Sequence, residues 1–276
     1  MRTCLLLILL LNAACGSDQS AKKPEAVLES PAPSGVELSE DQMPSAVNEE
    51  EDLQESAAPT PSKKVMDEMP SRIITPPATI APKPSGETTT PIPITEKGFV
   101  DLARLDPSIR LDIRYATTDN FTKAKIYDCA RCLLRPEAAE AIVSAHKALK
   151  KQGLGLKMFD CYRPRPYQQR LWDKVPNPDY VTPPSKGSMH SRGAAVDLTI
   201  VDSKGNELDM GTPYDYFGRE AHTDNNQMPQ KVLANRWILR EAMESVGLKG
   251  IRTEWWHFSY QRKVWPLSDY VWPCDQ

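Results

Sequence analysis

Aromatic residues are absent from the first third of this chain. No Phe, Tyr or Trp occurs between residues 16 and 95, whereas thirteen of the 25 prolines lie there. Residues 49–52 add an acidic run. Such a segment cannot bury enough apolar surface to offset the entropy lost on ordering. We therefore predict that residues 16–95 form a disordered tether with an end-to-end distance of roughly 50 Å.

The first fifteen residues predict export. Arg2 precedes an uninterrupted apolar run at residues 5–11, and small residues then lead to Cys15. This segment is too short to span a membrane and is typical of a secretory signal. The cysteine after two alanines resembles the lipobox of bacterial lipoproteins, although Asn12 stands where leucine is usual. We expect residues 1–15 to direct export and Cys15 to anchor the chain to the cell envelope, facing the periplasm; an ordinary secretory signal is the alternative.

The rest of the chain, residues 96–276, predicts one globular domain. It contains all twenty aromatic residues, which suffice for a core of its own. The formal net charge of the chain is only −3 and no basic cluster stands out. This charge pattern argues against nucleic acid as a partner.

One stretch of the domain carries metal-ligand chemistry. Residues 188–197 read SMHSRGAAVD, with His190 seven positions before Asp197 and Gly193 between them. Gly193 permits a backbone turn, and residues 195–201 alternate as a strand whose apolar side chains face the core. Asp197 then points to the opposite face. This arrangement aims an imidazole and a carboxylate at one place, which suits a divalent metal.

A second motif lies near the C-terminus, where residues 254–257 read EWWH. His257 completes a His, Asp, His ligand set for a catalytic zinc, and Glu254 is a candidate base for its water. Residues 252–260 predict a strand. Because residues three apart face opposite sides of an ideal strand, Glu254 and His257 share one site only if the strand is bulged or begins after Glu254.

Four cysteines of the domain, at positions 129, 132, 161 and 274, predict two structural disulfides in an exported protein. Three connectivities are possible. Cys129 and Cys132 form a Cys-x-x-Cys unit of the kind also found in redox pairs and structural zinc sites, but no second close pair or thioredoxin-like context accompanies it. If Cys129 pairs with Cys132, Cys161 is left for Cys274.

Periodicity predicts the elements around these motifs. Pro136 begins a helix with an apolar stripe that ends before Gly153. Further predicted elements are strands at residues 111–115 and 154–160 and helices at residues 167–172 and 231–246.

Three polar residues have both a functional and a structural interpretation. Arg163 follows a strand between Tyr162 and Pro164, where it could be an electrostatic clamp or an ordinary surface arginine. His146, on the helix that begins at Pro136, is interpreted as a packed or surface histidine because nothing nearby suggests a ligand set. His222, in a polar loop, is interpreted as a structural residue or a support for the ligands, and not as a ligand itself.

Together these motifs resemble the zinc D-Ala-D-Ala peptidases that share a fold with the hedgehog signalling domain. The resemblance rests on the spacing Ser188-x-His190-x-x-Gly193-x-Ala195-x-Asp197 and Glu254-x-x-His257. Stretches at residues 112–117, 120–122, 160–164 and 210–215 resemble more specifically the D-alanyl-D-alanine dipeptidases of the vancomycin-resistance type. The similarity covers roughly residues 98–262. It implies an α+β fold, a single domain with a mostly antiparallel sheet and packed helices.

The resemblance also implies a metal and catalytic roles. Its zinc ligands correspond to His190, Asp197 and His257, with one Zn²⁺ per chain. Glu254 corresponds to the base that takes a proton from the zinc-bound water and passes it to the leaving amine. Arg163 corresponds to the arginine that holds the developing oxyanion.

The substrate implied is the D-Ala-D-Ala dipeptide or a related peptide derived from peptidoglycan. Asp215 resembles the acid that pairs with the free ammonium of the substrate, and Ser188 a residue of the pocket wall. Tyr115 and Tyr127 are further candidates for that wall.

Two other functions are weighed. A D,D- or L,D-carboxypeptidase that trims stem peptides would need the Asp215 end of the pocket open, whereas a dipeptidase needs an anion there. A non-catalytic wall-binding module that keeps zinc as a structural prop would usually have lost Glu254 or Arg163, and both are present.

Overall fold

The computed structural model describes residues 96–178 and 180–274. The predicted signal at residues 1–15, Cys15 and the predicted tether at residues 16–95 lie outside the described residues. The helices are α1 (Leu102–Leu105), α2 (Pro136–Lys150), α3 (Arg165–Lys174) and α4 (Gln230–Ser245). The strands are β1 (Val100–Asp101), β2 (Arg110–Leu111), β3 (Leu133–Leu134), β4 (Leu154–Asp160), β5 (Ala195–Asp202), β6 (Leu248–Gly250) and β7 (His257–Tyr260). Within these ranges, no helix combines the length and apolar character needed to cross a membrane.

A five-stranded sheet in the order β2-β4-β5-β7-β6 forms the centre of the domain. Its pairs are antiparallel except for β2, which runs parallel to β4. β1 and β3 form a separate antiparallel pair. Helix α2 packs on β4, α4 packs on β5 and β6, and the two helices contact each other. They therefore cover the same face of the sheet, and the predicted α+β fold is confirmed.

Helix α2 has the boundaries that its sequence predicts. Pro136 occupies the first turn, where its missing N–H is not needed, and Lys147 and Lys150 lie in the last turn near the negative end of the helix dipole. Gly153 follows with a φ of 77°. The predicted elements β4 and β5 are confirmed, as is α4, which is shifted by one residue at each end.

His146 is a structural residue of α2, as predicted. Its Nδ1 accepts the Leu156 N–H at 3.1 Å, so the ring carries its proton on Nε2. That nitrogen lies 3.0 Å from Ser108 Oγ. His146 therefore ties the helix to β4, and it is remote from the metal-ligand candidates.

Two predicted strands are shorter than expected. In place of a strand at residues 111–115, β2 ends at Leu111 and a 3-10 turn follows at Arg114–Ala116. The sequence alternates between apolar and polar residues here because Ile113, just before this turn, and Tyr115, within it, are both buried. At the C-terminal motif the strand begins only at His257, so Glu254 is outside it. Glu254 and His257 can therefore share one site, because the strand begins after Glu254 and is not bulged between the two residues.

Two disulfides form, and of the three possible connectivities the structure has one in which Cys129 and Cys132 do not pair with each other. Cys129 bonds to Cys274, and Cys132 bonds to Cys161. Cys132 immediately precedes β3 and Cys161 immediately follows β4, and the Tyr162 N–H donates to Leu133 O across the same two segments. Tertiary contacts, and not closeness in sequence, therefore decide the connectivity.

Residues 261–274, the C-terminal segment, have no regular structure but pack against the domain. Trp272 is buried, and its ring contacts those of Tyr127, Tyr162 and Tyr167. The Ser268 N–H donates to Ser191 O at 2.9 Å. This segment supports the turn that carries His190.

Candidate active site

Sheet register brings three acidic and imidazole side chains together. Asp160 lies opposite Asp197, and Asp197 lies opposite His257, on three adjacent strands. The register between β4 and β5 shifts by one residue between Met158 and Asp160. Since side chains alternate between faces, this β-bulge turns Asp160 away from the face of Met158 and towards that of Asp197.

His190 reaches the same place from a 3-10 turn, His190–Arg192, just before β5. Gly193 ends this turn with a φ of 73°, and a Cβ there would lie 2.5 Å from the Phe99 ring, so only glycine fits. Ser188 Oγ accepts the His190 N–H at 3.1 Å. His190, predicted to lie on a loop or short strand, therefore lies in a well-defined 3-10 turn.

The three predicted ligands converge on one point. His190 Nε2 lies 3.1 Å from His257 Nδ1 and 3.2 Å from Asp197 Oδ1. His257 Nδ1 and Asp197 Oδ1 are 3.0 Å apart. Two ligand atoms on a tetrahedral zinc are separated by roughly 3.3 Å, given bonds of about 2.0–2.1 Å. The triangle is thus close to the size that a zinc ion requires.

The other nitrogen of each imidazole is engaged behind the site. His190 Nδ1–H donates to Cys161 O at 2.7 Å, which leaves the Nε2 lone pair directed at the triangle. His257 Nε2 lies 3.0 Å from Ser259 Oγ, which suits a proton on Nε2 and a free lone pair on Nδ1. Metal-binding histidines are oriented in this way. The donor set fits a metal.

The interactions between Asp197 and the two histidines favour an ionised carboxylate and a protonated imidazole at His190. Burial acts to raise the pKa of Asp197, but His190 and His257 outweigh it and hold that pKa below its usual value. Burial acts to lower the pKa of His190, but Asp197 outweighs it and raises that pKa. Tyr214 donates from its hydroxyl to Asp197 Oδ2 at 2.9 Å, which satisfies the second carboxylate oxygen.

Arg163 is a buried cation and not a surface residue. Its Nε and Nη2 donate to Asp160 Oδ2 at 3.0 and 2.7 Å, and its Nη1 donates to Gln168 Oε1 at 3.1 Å. Burial acts to lower the pKa of Arg163, but Asp160 outweighs it and raises that pKa further. The guanidinium is therefore a fixed positive charge at the wall of the cleft.

These side chains surround a cleft with an empty volume of about 490 Å³, part of it open to solvent. That size lies within the range of small-molecule sites. The polar lining comes from the predicted residues Tyr115, Arg163, His190, Asp197, Asp215, Glu254 and His257. Leu171, Val181, Tyr180, Phe217 and Trp256 supply apolar walls.

Asp215 lines this cleft with a carboxyl group that lacks a full set of partners. Tyr115 donates to its Oδ1 at 3.2 Å, whereas its Oδ2 is buried without a hydrogen-bond partner among the described residues. Burial, with a further contribution from Asp197, raises the pKa of Asp215 to about 8. Its backbone has a φ of 60°, a region that aspartate tolerates better than most residues.

The loop that carries Asp215 is held by one buried arginine. Arg236 on α4 donates to the carbonyl oxygens of Met210, Glu220 and His222. These acceptors flank Asp215 on both sides. His222 itself does not line the cleft, in agreement with its structural interpretation.

Two predicted site residues do not line the cleft. Ser188 is buried beneath the His190 turn, where it accepts a backbone N–H. Tyr127 donates from its hydroxyl to Asp160 Oδ1 at 2.6 Å, behind Arg163. Sequence reasoning missed Asp160 as a residue that fixes Arg163, although its place three residues before Arg163 at a strand end was a usable signal.

Comparison with known proteins agrees with this geometry. The family model described as "D-ala-D-ala dipeptidase" matches residues 95–271. A D-alanyl-D-alanine dipeptidase of Escherichia coli K12 is 40% identical over 170 residues, which cover 61% of this chain and 88% of that protein. A D-alanyl-D-alanine dipeptidase of Enterococcus faecium is 32% identical over 199 residues, or 64% of this chain and 98% of that protein. The one from Enterococcus faecalis is 31% identical over 192 residues, 62% and 95% respectively.

The fold and the cleft define an enzyme of the peptidase class with a His, Asp, His group suited to a metal. More particularly, the chain belongs to the D-Ala-D-Ala dipeptidase family.

Proposed function

We propose that this protein is a zinc-dependent peptidase that hydrolyses the free D-Ala-D-Ala dipeptide. Membership of the family supports the reaction class. The observation that carries the choice of substrate is the buried Oδ2 of Asp215, which has no hydrogen-bond partner among the described residues and belongs to a side chain that lines the cleft. An ammonium group is the natural partner for such an oxygen.

His190 Nε2, Asp197 Oδ1 and His257 Nδ1 would hold the zinc. Three protein ligands are typical of catalytic rather than structural zinc sites. When bound, the ion acts as a Lewis acid that makes a water molecule nucleophilic near neutral pH and polarises the scissile carbonyl. Oxygen and nitrogen donors of this kind exclude a soft-metal thiolate site.

Glu254 and Arg163 supply the remaining chemistry. Glu254 lines the cleft beside the ligands and would take a proton from the attacking water and deliver it to the leaving amine. Arg163 lines the cleft and has N–H groups beyond those that it donates to Asp160 and Gln168, and these would stabilise the negative oxygen that develops on the carbonyl. Because Asp160 and Gln168 already fix the guanidinium, little reorganisation is needed during the reaction.

Asp215 would select substrates with a free amine. A buried carboxyl with a raised pKa is stabilised in its ionised form by a neighbouring cation, so the substrate ammonium and Asp215 favour each other. An acylated amine offers no charge. Without that cation the Asp215 carboxyl, whose pKa is about 8, stays mostly protonated at pH 7, so an acylated substrate forfeits the ion pair that a free dipeptide gains.

The test compares kcat/KM for D-Ala-D-Ala and N-acetyl-D-Ala-D-Ala. The wild-type chain should strongly prefer the free dipeptide, and Asp215→Ala should reduce that preference. Asp209→Ala, an exposed acid on the same loop, is the matched control and should leave the preference unchanged. If the wild type cleaves the acetylated dipeptide or a pentapeptide stem as well as the free dipeptide, the dipeptidase proposal fails and a carboxypeptidase takes its place.

We also propose that the protein is exported and anchored in the cell envelope by a lipid on Cys15. The support is the leader sequence alone. Cys15→Ser should move the protein from the membrane fraction to the soluble fraction of cells. Membrane association that survives this change would contradict the anchor.

A further inference from the structure

One backbone carbonyl links a disulfide to the metal-ligand group. Cys161 O accepts the Nδ1–H of His190 at 2.7 Å. The same residue is bonded through its sulfur to Cys132. Both cysteine side chains are buried. The covalent link therefore ends at the residue that orients a candidate ligand.

The segment on either side of Cys161 also carries the fixed cation of the cleft. Asp160 Oδ1 accepts the Cys161 N–H at 2.9 Å, and Asp160 Oδ2 accepts from Arg163. The Arg163 N–H donates to His190 O at 3.1 Å. A displacement of Cys161 would thus be felt by both the imidazole of His190 and the guanidinium of Arg163.

Two further hydrogen bonds join this segment to the part of the chain that leads into and forms β3. Tyr162 N–H donates to Leu133 O, and Tyr127 donates to Asp160. Neither bond acts on the Cys161 carbonyl itself. The Cys132–Cys161 bond adds a covalent restraint at Cys161, with a Cα–Cα distance of 5.1 Å.

We propose that the Cys132–Cys161 disulfide is a positioning element of the metal centre: it holds the Cys161 carbonyl against His190 Nδ1 and thereby sets the affinity for the metal. This inference rests on the proposed role of His190 as a ligand. It goes beyond that role because it makes full metal affinity depend on a bond that forms in an oxidising compartment. The second disulfide, Cys129–Cys274, has no hydrogen bond of this kind to any of the three ligand residues among the described contacts.

The experiment uses the full chain and removes each disulfide separately. Cys132→Ala/Cys161→Ala keeps the backbone carbonyl but loses the crosslink, and Cys129→Ala/Cys274→Ala is the matched control. Zinc affinity is measured by competition with a chromophoric chelator, and the cobalt-loaded forms are compared by visible absorption. Loss of an orienting partner typically weakens metal binding about 10–100-fold, which is the effect expected in the first variant. The control should stay within roughly threefold of wild type.

A further readout separates positioning from general damage. Excess zinc should restore full metal occupancy in the Cys132→Ala/Cys161→Ala variant, because all three ligand residues are still present. Cys132→Ala alone, which keeps the Cys161 side chain in its packing position, should reproduce the effect.

The outcomes are distinguishable. If wild type binds no zinc, the proposed function itself fails. If wild type binds zinc and both double variants bind it equally well, the positioning role is overturned while the proposed function stands. A first variant that does not fold, alone or as Cys132→Ala, also overturns the proposal, since the disulfide would then be needed for the fold and not for the aim of a ligand.

Discussion

Glu254 and Arg163 carry opposite charges and reach the cleft from different parts of the chain. Arg163 is locked by Asp160 and Gln168 before any substrate arrives. Glu254 lies in an irregular segment just before β7, three residues before His257. The pair suits a reaction in which one group moves a proton and the other only stabilises charge. Each role can be tested separately from metal binding.

Glu254→Gln removes the base with little change in size. We expect zinc content and fold to be retained and kcat to fall at least about a hundredfold, because general-base catalysis contributes roughly 10²–10⁴. Glu244→Gln on α4, which does not line the cleft, is the control. Metal analysis and steady-state kinetics on the same samples check the result. A variant with near-normal kcat would show that another group moves the proton.

Arg163→Lys keeps the charge but loses the fork that Asp160 and Gln168 hold. A lysine cannot make the same three bonds, so the cation would no longer be fixed at the oxyanion position. We expect kcat to fall about 10²–10³-fold with zinc content unchanged. Arg165 forms an exposed ion pair with Asp269, so the control substitution Arg165→Lys should have little effect on kcat. Equal loss in both variants would argue against a role at the oxyanion.

At the scale of elements, helix α2 is joined to the sheet by a buried histidine. His146 accepts from the backbone of β4 and is buried, and burial lowers its pKa below the ordinary value. Asp106 opposes this shift but does not cancel it. Protonation therefore favours the unfolded chain. The stability that depends on neutral His146 is present above the unfolded pKa of about 6.5 and is lost as pH falls below it.

His146→Gln removes this titration. We expect the variant to be less stable than wild type at pH 7.5, by about 1–3 kcal/mol if the Leu156 N–H is left without a good acceptor. The difference should shrink at pH 5.5, because wild type alone pays for protonation of residue 146. Chemical denaturation at both pH values measures it. Parallel pH profiles for the two proteins would contradict a neutral buried histidine.

At the scale of the whole molecule, the two disulfides close loops of very different length. Cys129–Cys274 spans 145 residues and Cys132–Cys161 spans 29. Loop-closure entropy assigns about 5 kcal/mol to the longer loop and about 4 kcal/mol to the shorter one. The longer link also holds the C-terminal segment, whose Ser268 contacts the turn of His190.

Removal of Cys129–Cys274 should therefore lower the free energy of unfolding by at least as much as removal of Cys132–Cys161. Metal affinity should be lowered more by removal of Cys132–Cys161 than by removal of Cys129–Cys274, because only Cys161 contacts a candidate ligand. Denaturation of both zinc-free double variants measures the stability order. If the less stable of the two variants also bound zinc more weakly, both disulfides would affect the metal site only by stabilising the fold.

The sequence alone was enough to predict the parts that depend on local patterns. The α2 boundaries follow from Pro136 and Gly153, and β5 follows from the alternation after Ala195. The spacing of residue types was enough to nominate His190, Asp197 and His257, which the structure brings within 4.8 Å of one another. Such features are encoded by near neighbours in the chain, so a single sequence reveals them.

Only the tertiary structure decided what depends on pairing between distant segments. The bulge at the end of β4 turned Asp160 towards Arg163, and strand pairing set the start of β7 after Glu254. Burial placed Ser188 and Tyr127 behind the cleft instead of in its wall. Cys132 met Cys161 because the start of β3 lies beside the end of β4, although Cys129 is nearer in sequence. Register and long-range contacts select among arrangements that local preferences leave equally open, and for this reason the sequence could not resolve them.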